Sequence, residues 1–172
     1  MNKLTLLLSL STALTAALAS AAPFVSPSGG YSLTLPAGWR SYSDYRADND
    51  ATFAPSRPSA ASGGMTPIVI ITIAPSPPGM TMTALKSKLV PSFKRGSPHT
   101  TITSQTSSAI GGMPDLDTVF VTTKQGERVR SRIVYVLKNK FAYAITAVYP
   151  EKTHARYDLP IAQMLASVRW KP

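Results

Sequence analysis

RVRSRIVYVLKNKFAYAITAVY, residues 128–149, is the stretch from which the fold is read. Its two halves, 128–137 and 141–149, are rich in β-branched and aromatic residues and fit strands better than helices. Lys138-Asn139-Lys140 lies between them as the turn of a β-hairpin. On the second strand Phe141, Tyr143, Ile145 and Tyr149 share one face, while Ala142, Ala144 and Val148 share the other. Two apolar faces need two covers, which points to a sheet with a helix on each side.

The surrounding sequence extends this pattern. Gln125-Gly126 marks a tight turn from a strand at 116–123, and Gly111-Gly112 ends a Thr/Ser-rich exposed or edge strand at 100–110. Upstream, Ile68-Val69-Ile70-Ile71-Thr72-Ile73 reads as a strand buried on both faces. Tyr31-Ser32-Leu33-Thr34-Leu35 alternates with period two, and Phe53 centres a short strand at 51–54. Met82, Leu85, Leu89 and Phe93 form a helical stripe with Lys86 and Lys88 off it. Thr81 or Thr83 is its N-cap, and Pro91 is expected to cut it a turn short. A second helix is expected to start at Asp158, with Pro160 in its first turn and Ile161, Met164, Leu165 and Val168 inward. The prediction is an α+β sandwich with a mostly antiparallel central sheet of about six to seven strands flanked by helices. One domain is expected over 31–172, with a linker at 22–30 and a mobile loop at 57–64.

Residues 1–21 have the form of a cleaved secretory signal. Lys3 supplies the positive start, the next 16 residues are apolar or small, and Ala19-Ser20-Ala21 is a small-x-small cleavage site. That run is shorter than the roughly 20 residues of a spanning helix. Without a cysteine at the site, lipoprotein processing is excluded. The chain is therefore expected to be exported, to the periplasm or beyond. The 172 residues contain no cysteine at all, which rules out disulfides and thiolate metal sites. Cutting after Ala21 leaves 17 basic against 8 acidic side chains, a net charge of +9.

Three features resemble the PsbP-like superfamily, which includes the DcrB-type envelope proteins and the Ran-binding Mog proteins. They are the opening Tyr31-Ser32-Leu33-Thr34-Leu35-Pro36-Ala37-Gly38-Trp39, the hairpin described above, and the closing helix with Ser167-Val168-Arg169-Trp170. The resemblance implies an α/β/α sandwich and mostly non-enzymatic binding or assembly roles. It carries no shared active site and so assigns no functional residue.

No catalytic set stands out. His99 and His154 lie in polar segments, no nucleophile elbow occurs, and Glu127 and Glu151 are the only glutamates. Asp44, Asp48 and Asp50 are weak candidates for a hard cation, in a loop that lacks the glycine and distal glutamate of an EF-hand. No cofactor is expected. A metal-dependent hydrolase using this loop is the enzymatic alternative, and a purely structural envelope domain is another.

The most informative charges are Arg128, Arg130 and Arg132, spaced by two and so on one face of a strand. A two-residue turn at Gln125-Gly126 sets Arg130 opposite Val121 and Arg132 opposite Val119. A three-residue turn at 138–140 would set them opposite Val148 and Thr146, away from Tyr135, Tyr143 and Tyr149. With Lys138 and Lys140 they form an expected basic face, short of acidic partners apart from Asp117, suited to an acidic protein or an anionic envelope polymer. The alternative is a solvated or helix-covered face with packed arginine stems. Export makes nucleic acid an unsuitable natural partner.

Overall fold

The computed structural model describes residues 21–28, 30–43, 49–55, 65–96, 99–124 and 126–172. Residues 1–20, read from the sequence as most of a secretory signal, residues 57–64, expected as a mobile loop, and Asp44 and Asp48 lie outside the described residues.

Among the described residues ten strands and two helices follow in the order β1 (Ala22–Val25), β2 (Tyr31–Leu35), β3 (Arg40–Ser41), β4 (Ala51–Ala54), β5 (Ile68–Pro75), α1 (Met82–Gly96), β6 (Thr100–Ile110), β7 (Met113–Lys124), β8 (Glu127–Lys138), β9 (Phe141–Pro150), α2 (His154–Ala166) and β10 (Arg169–Trp170). Seven strands form one sheet ordered β3-β4-β5-β9-β8-β7-β6, and β1-β2-β10 form a second. Every pairing is antiparallel. The α+β sandwich read from the sequence is the fold observed.

The layers follow from side-chain parity. Val69, Ile71, Val134, Val136, Ile145 and Ala147 point from one face of the large sheet into a core closed by Tyr31, Leu33 and Leu35 of β2 and by Ile161, Met164 and Leu165 of α2. On the other face Leu116, Phe120 and Ile133 are buried, and α1 packs against β7 with Leu89 buried. Thr81 caps α1 by accepting the Ala84 amide at 3.1 Å.

Four local expectations change. Residues 22–30 begin with β1 and are not simply a linker: Ala22 pairs with Leu35 and Phe24 with Leu33. Phe24 makes this worthwhile by packing edge-on to Phe53, ring centroids 4.8 Å apart. Helix α1 runs through Pro91 to Gly96, with the proline on its exposed side. Helix α2 starts at His154, after a single 3₁₀ turn at Glu151–Thr153, so Asp158 lies within it and does not cap it.

The fourth change matters most for function. The β8–β9 turn has two residues, because Lys138 pairs with Phe141 and Asn139 takes φ 57°. Asparagine tolerates this left-handed conformation, which a two-residue hairpin turn demands. Arg130 is therefore opposite Tyr149, and Arg132 opposite Ala147. A one-residue shift exchanges the faces of a strand. The arginines thus share the face of Tyr143 and Tyr149, while Tyr135 lies on the other.

Candidate functional site: a compensated groove and an uncompensated end

The register of β7 with β8 is as read: Arg130 faces Val121 and Arg132 faces Val119. Along β8 the even-numbered positions enter the α2-side core at Val134 and Val136, which are 3% and 0% exposed. Arg130 and Arg132 sit where that face emerges from under α2. There they line an open groove of about 380 Å³ with Ser104, Asp117, Tyr149 and Leu159.

These arginines are not free. Arg132 grips Asp117 with two nitrogens, Nε at 2.9 Å from Oδ2 and 3.1 Å from Oδ1, and Nη2 at 2.5 Å from Oδ2. This side-on geometry is the strong form of an arginine–carboxylate pair. The Arg130 Nε lies 3.5 Å from Glu151 and 3.8 Å from Asp158. Those contacts compensate its charge, but Arg130 Nε and the facing Glu151 oxygen are buried without a hydrogen bond. Tyr149 donates its hydroxyl proton to Asp158. Burial first, and then this carboxylate, push the Tyr149 phenol well above the usual tyrosine range.

The expectation of a row with few acidic partners is thus corrected. Glu151 and Asp158 arrive from the 3₁₀ turn and from α2, across the sheet sandwich. Two cations face three carboxylates, so this stretch is not a basic patch.

The other basic residues behave differently. Arg128 is exposed, and the neighbouring Glu127 pairs with Lys152 at 3.8 Å. Lys138 and Lys140 flank the opposite end of β8 at the β8–β9 turn. The Lys138 ammonium donates to the Lys171 carbonyl at 2.5 Å, which brings a third lysine to this end. Lys140 is exposed, and its carbonyl accepts the Ser76 amide at 2.8 Å, fixing the turn against the end of β5. Among the described residues no ion pair involves Lys138, Lys140 or Lys171. In strand register the nearest acid is Asp115, opposite Val136, which is 5% exposed and hydrogen-bonded to Ser108.

Of the acidic loop, only Asp50 is described. Its Oδ2 accepts protons from Ser26 and Tyr31, each at 2.7 Å, tying β1 and β2 to the start of β4. Burial and Asp50 together raise the Tyr31 phenol far above its ordinary range. No cluster of three potential metal ligands occurs among the described residues. His99 is exposed before β6, and the exposed His154 places Nδ1 3.0 Å from the Glu151 carbonyl oxygen.

A second groove, of about 640 Å³, went unnoticed in the sequence. It runs between the Pro36–Trp39 turn and α2, over Leu35, Trp39, Tyr157 and Met164. Its signal was the Pro-x-Gly-Trp motif, whose Trp39 packs edge-on to Tyr157 at 6.4 Å. None of the described helices is long and apolar enough to cross a membrane.

No family model and no curated protein sequence matches the chain. Solved structures do. LpqN, involved in cell envelope biogenesis of Mycobacterium tuberculosis, superimposes with a TM-score of 0.65 at 13% identity, over 88% of this chain and 86% of its own. The Saccharomyces cerevisiae Ran-binding protein Mog1p gives 0.62 at 10% identity, over 88% and 95%. Cyanobacterial PsbP from Synechocystis gives 0.60 at 10% identity, over 91% and 96%. At such identities the likeness establishes architecture alone, and on that ground the chain has the PsbP/Mog1-like fold.

Proposed function

We propose that this chain is an exported, non-enzymatic binding or assembly domain of the bacterial cell envelope, which engages an acidic protein or an anionic polymer through basic residues of its sheet. The observation that carries the reading is the uncompensated lysine end, Lys138, Lys140 and Lys171, on a chain with 17 basic and 8 acidic side chains after residue 21. Such a surplus attracts anions over a Debye length and orients the encounter. Arg128 adds to it from the other end of β8. Arg130 and Arg132 contribute chiefly by holding the sheet to α2 and to Asp117. The Ran-binding Mog1p and LpqN, which is involved in cell envelope biogenesis, share this architecture and are in keeping with a binding or assembly role.

The test uses residues 22–172, which hold both sheets and both helices, immobilised and washed with envelope extract at low and high salt. A partner retained at low salt, released at high salt and lost with Lys138→Gln/Lys140→Gln supports the reading. Retention indifferent to both salt and these substitutions overturns it.

A further inference from the structure

The two sheets have four edges, and three are poor templates for another chain. Strands β3 and β10 have two residues each, and β1 has four, one of them Pro23. Strand β6 is different. It runs for 11 residues, Thr100–Ile110, at the end of the seven-stranded sheet. Its sequence TTITSQTSSAI contains no charge, proline or glycine. Natural edges are usually blunted by lysine, proline, bulges or a covering element. Here one irregularity, between Ile102 and Ser104, is the sole such device within the strand. Beyond it Ser104–Ile110 pairs with β7 residue by residue.

The turn fixes which backbone groups look outward. Ile110 pairs with Met113 across Gly111-Gly112, whose φ values are 56° and 82°. The pair closing a two-residue hairpin exchanges both hydrogen bonds, and pairs then alternate along the ladder. Ile110, Ser108, Thr106 and Ser104 therefore bond to β7, while the amides and carbonyls of Gln105, Ser107 and Ala109 face away from it. The turn is held in place, since a Cβ on Gly111 would meet the Val168 carbonyl oxygen at 2.7 Å. Small hydroxyl side chains on both faces of β6 leave room for a neighbouring strand and give little apolar surface for indiscriminate association.

We infer that β6 is a strand-addition site, which takes an extended segment of an acidic partner protein as an eighth strand of the large sheet. Main-chain hydrogen bonds from Gln105, Ser107 and Ala109 supply the affinity, as in other edge-strand recognition. Charge selects the occupant. A second copy of this chain brings a matching excess of positive charge and is repelled, whereas an acidic segment is attracted and meets no carboxylate on β6 itself. The acidic preference rests on the proposed function; strand addition rests on the edge alone.

The probe is a blocked nine-residue peptide of alternating threonine and glutamate, with a threonine–glutamine counterpart. Binding to residues 22–172 is followed by NMR amide exchange. The expected result is slowing of the Gln105, Ser107 and Ala109 amides by tenfold or more with the acidic peptide. Ser107→Pro removes one outward amide and spares the β7 ladder; it should weaken binding at least tenfold, while Ser107→Ala binds as wild type. Failure of the acidic peptide to bind at millimolar concentration overturns the inference, as does binding that leaves the three amides unchanged. Because exchange is read on the unsubstituted chain, the test stands even where Ser107→Pro folds poorly. Equal protection by the neutral peptide keeps strand addition and overturns the acidic preference.

Discussion

The two ends of strand β8 carry the same kind of side chain and put it to opposite uses. Near its start, Arg130 and Arg132 face Asp117, Glu151 and Asp158, and their charge is consumed within the fold. Near its finish, Lys138 and Lys140 meet a backbone carbonyl and solvent, and their charge stays available. A count of basic residues along the strand does not distinguish these ends. What distinguishes them is whether a later element, here the 3₁₀ turn and α2, crosses the face and brings acids with it.

Substitutions can break this contrast, and the largest effect is expected at Asp117. Asp117→Ala removes the partner of Arg132 and leaves a half-buried guanidinium unpaired. Removing one member of a fully buried pair costs about 3–5 kcal/mol, and partial exposure here lowers the expectation to about 2 kcal/mol. Urea unfolding measures it, and a loss under about 0.5 kcal/mol would show that the groove is not compensated as described.

Tyr149→Phe comes next, with an expected loss of about 1.5 kcal/mol, as for a hydrogen bond to a charged group. The same residue gives a pH signature. Folding raises the phenol pKa of Tyr149, and of Tyr31, so the neutral phenol is stabilised in the native state. That contribution is complete below the unfolded tyrosine pKa of about 10 and falls as pH climbs above it. Stability should therefore drop above about pH 10, less steeply in Tyr149→Phe. Identical alkaline profiles for the two proteins would contradict the part-buried Tyr149–Asp158 contact.

The smallest stability change belongs to Lys138→Gln/Lys140→Gln, within about 0.5 kcal/mol of wild type, as for surface substitutions without an ion partner. A clear drop in the thermal midpoint would mean that the lysine end is structural after all.

Much of this architecture was legible in local chemistry. The Gln125-Gly126 motif gave the β7–β8 register, and the Thr/Ser-rich run at 100–110 was recognisable as an exposed or edge strand. The β8–β9 register was not, because Lys138-Asn139-Lys140 accommodates turns of two or three residues and the choice lies in the φ of Asn139. That single residue decides which face carries the arginines. Their carboxylate partners were hidden for a different reason: Glu151 and Asp158 follow Arg130 by more than 20 positions, and only the packing of α2 brings them back. The role of Asp50 was obscured in the same way, since its partners Ser26 and Tyr31 belong to the hairpin of the smaller sheet.

The most direct measurement is the affinity of residues 22–172 for poly-L-glutamate at low ionic strength, compared between Lys138→Gln/Lys140→Gln and Arg132→Gln. Surface charges are worth about 0.2–1 kcal/mol each, so the double lysine variant should bind about fivefold more weakly with its thermal midpoint unchanged. Arg132→Gln should change affinity less than about twofold while losing stability. The reverse pattern, with affinity falling in Arg132→Gln and preserved in the lysine variant, would contradict the assignment of the binding charge to the uncompensated end.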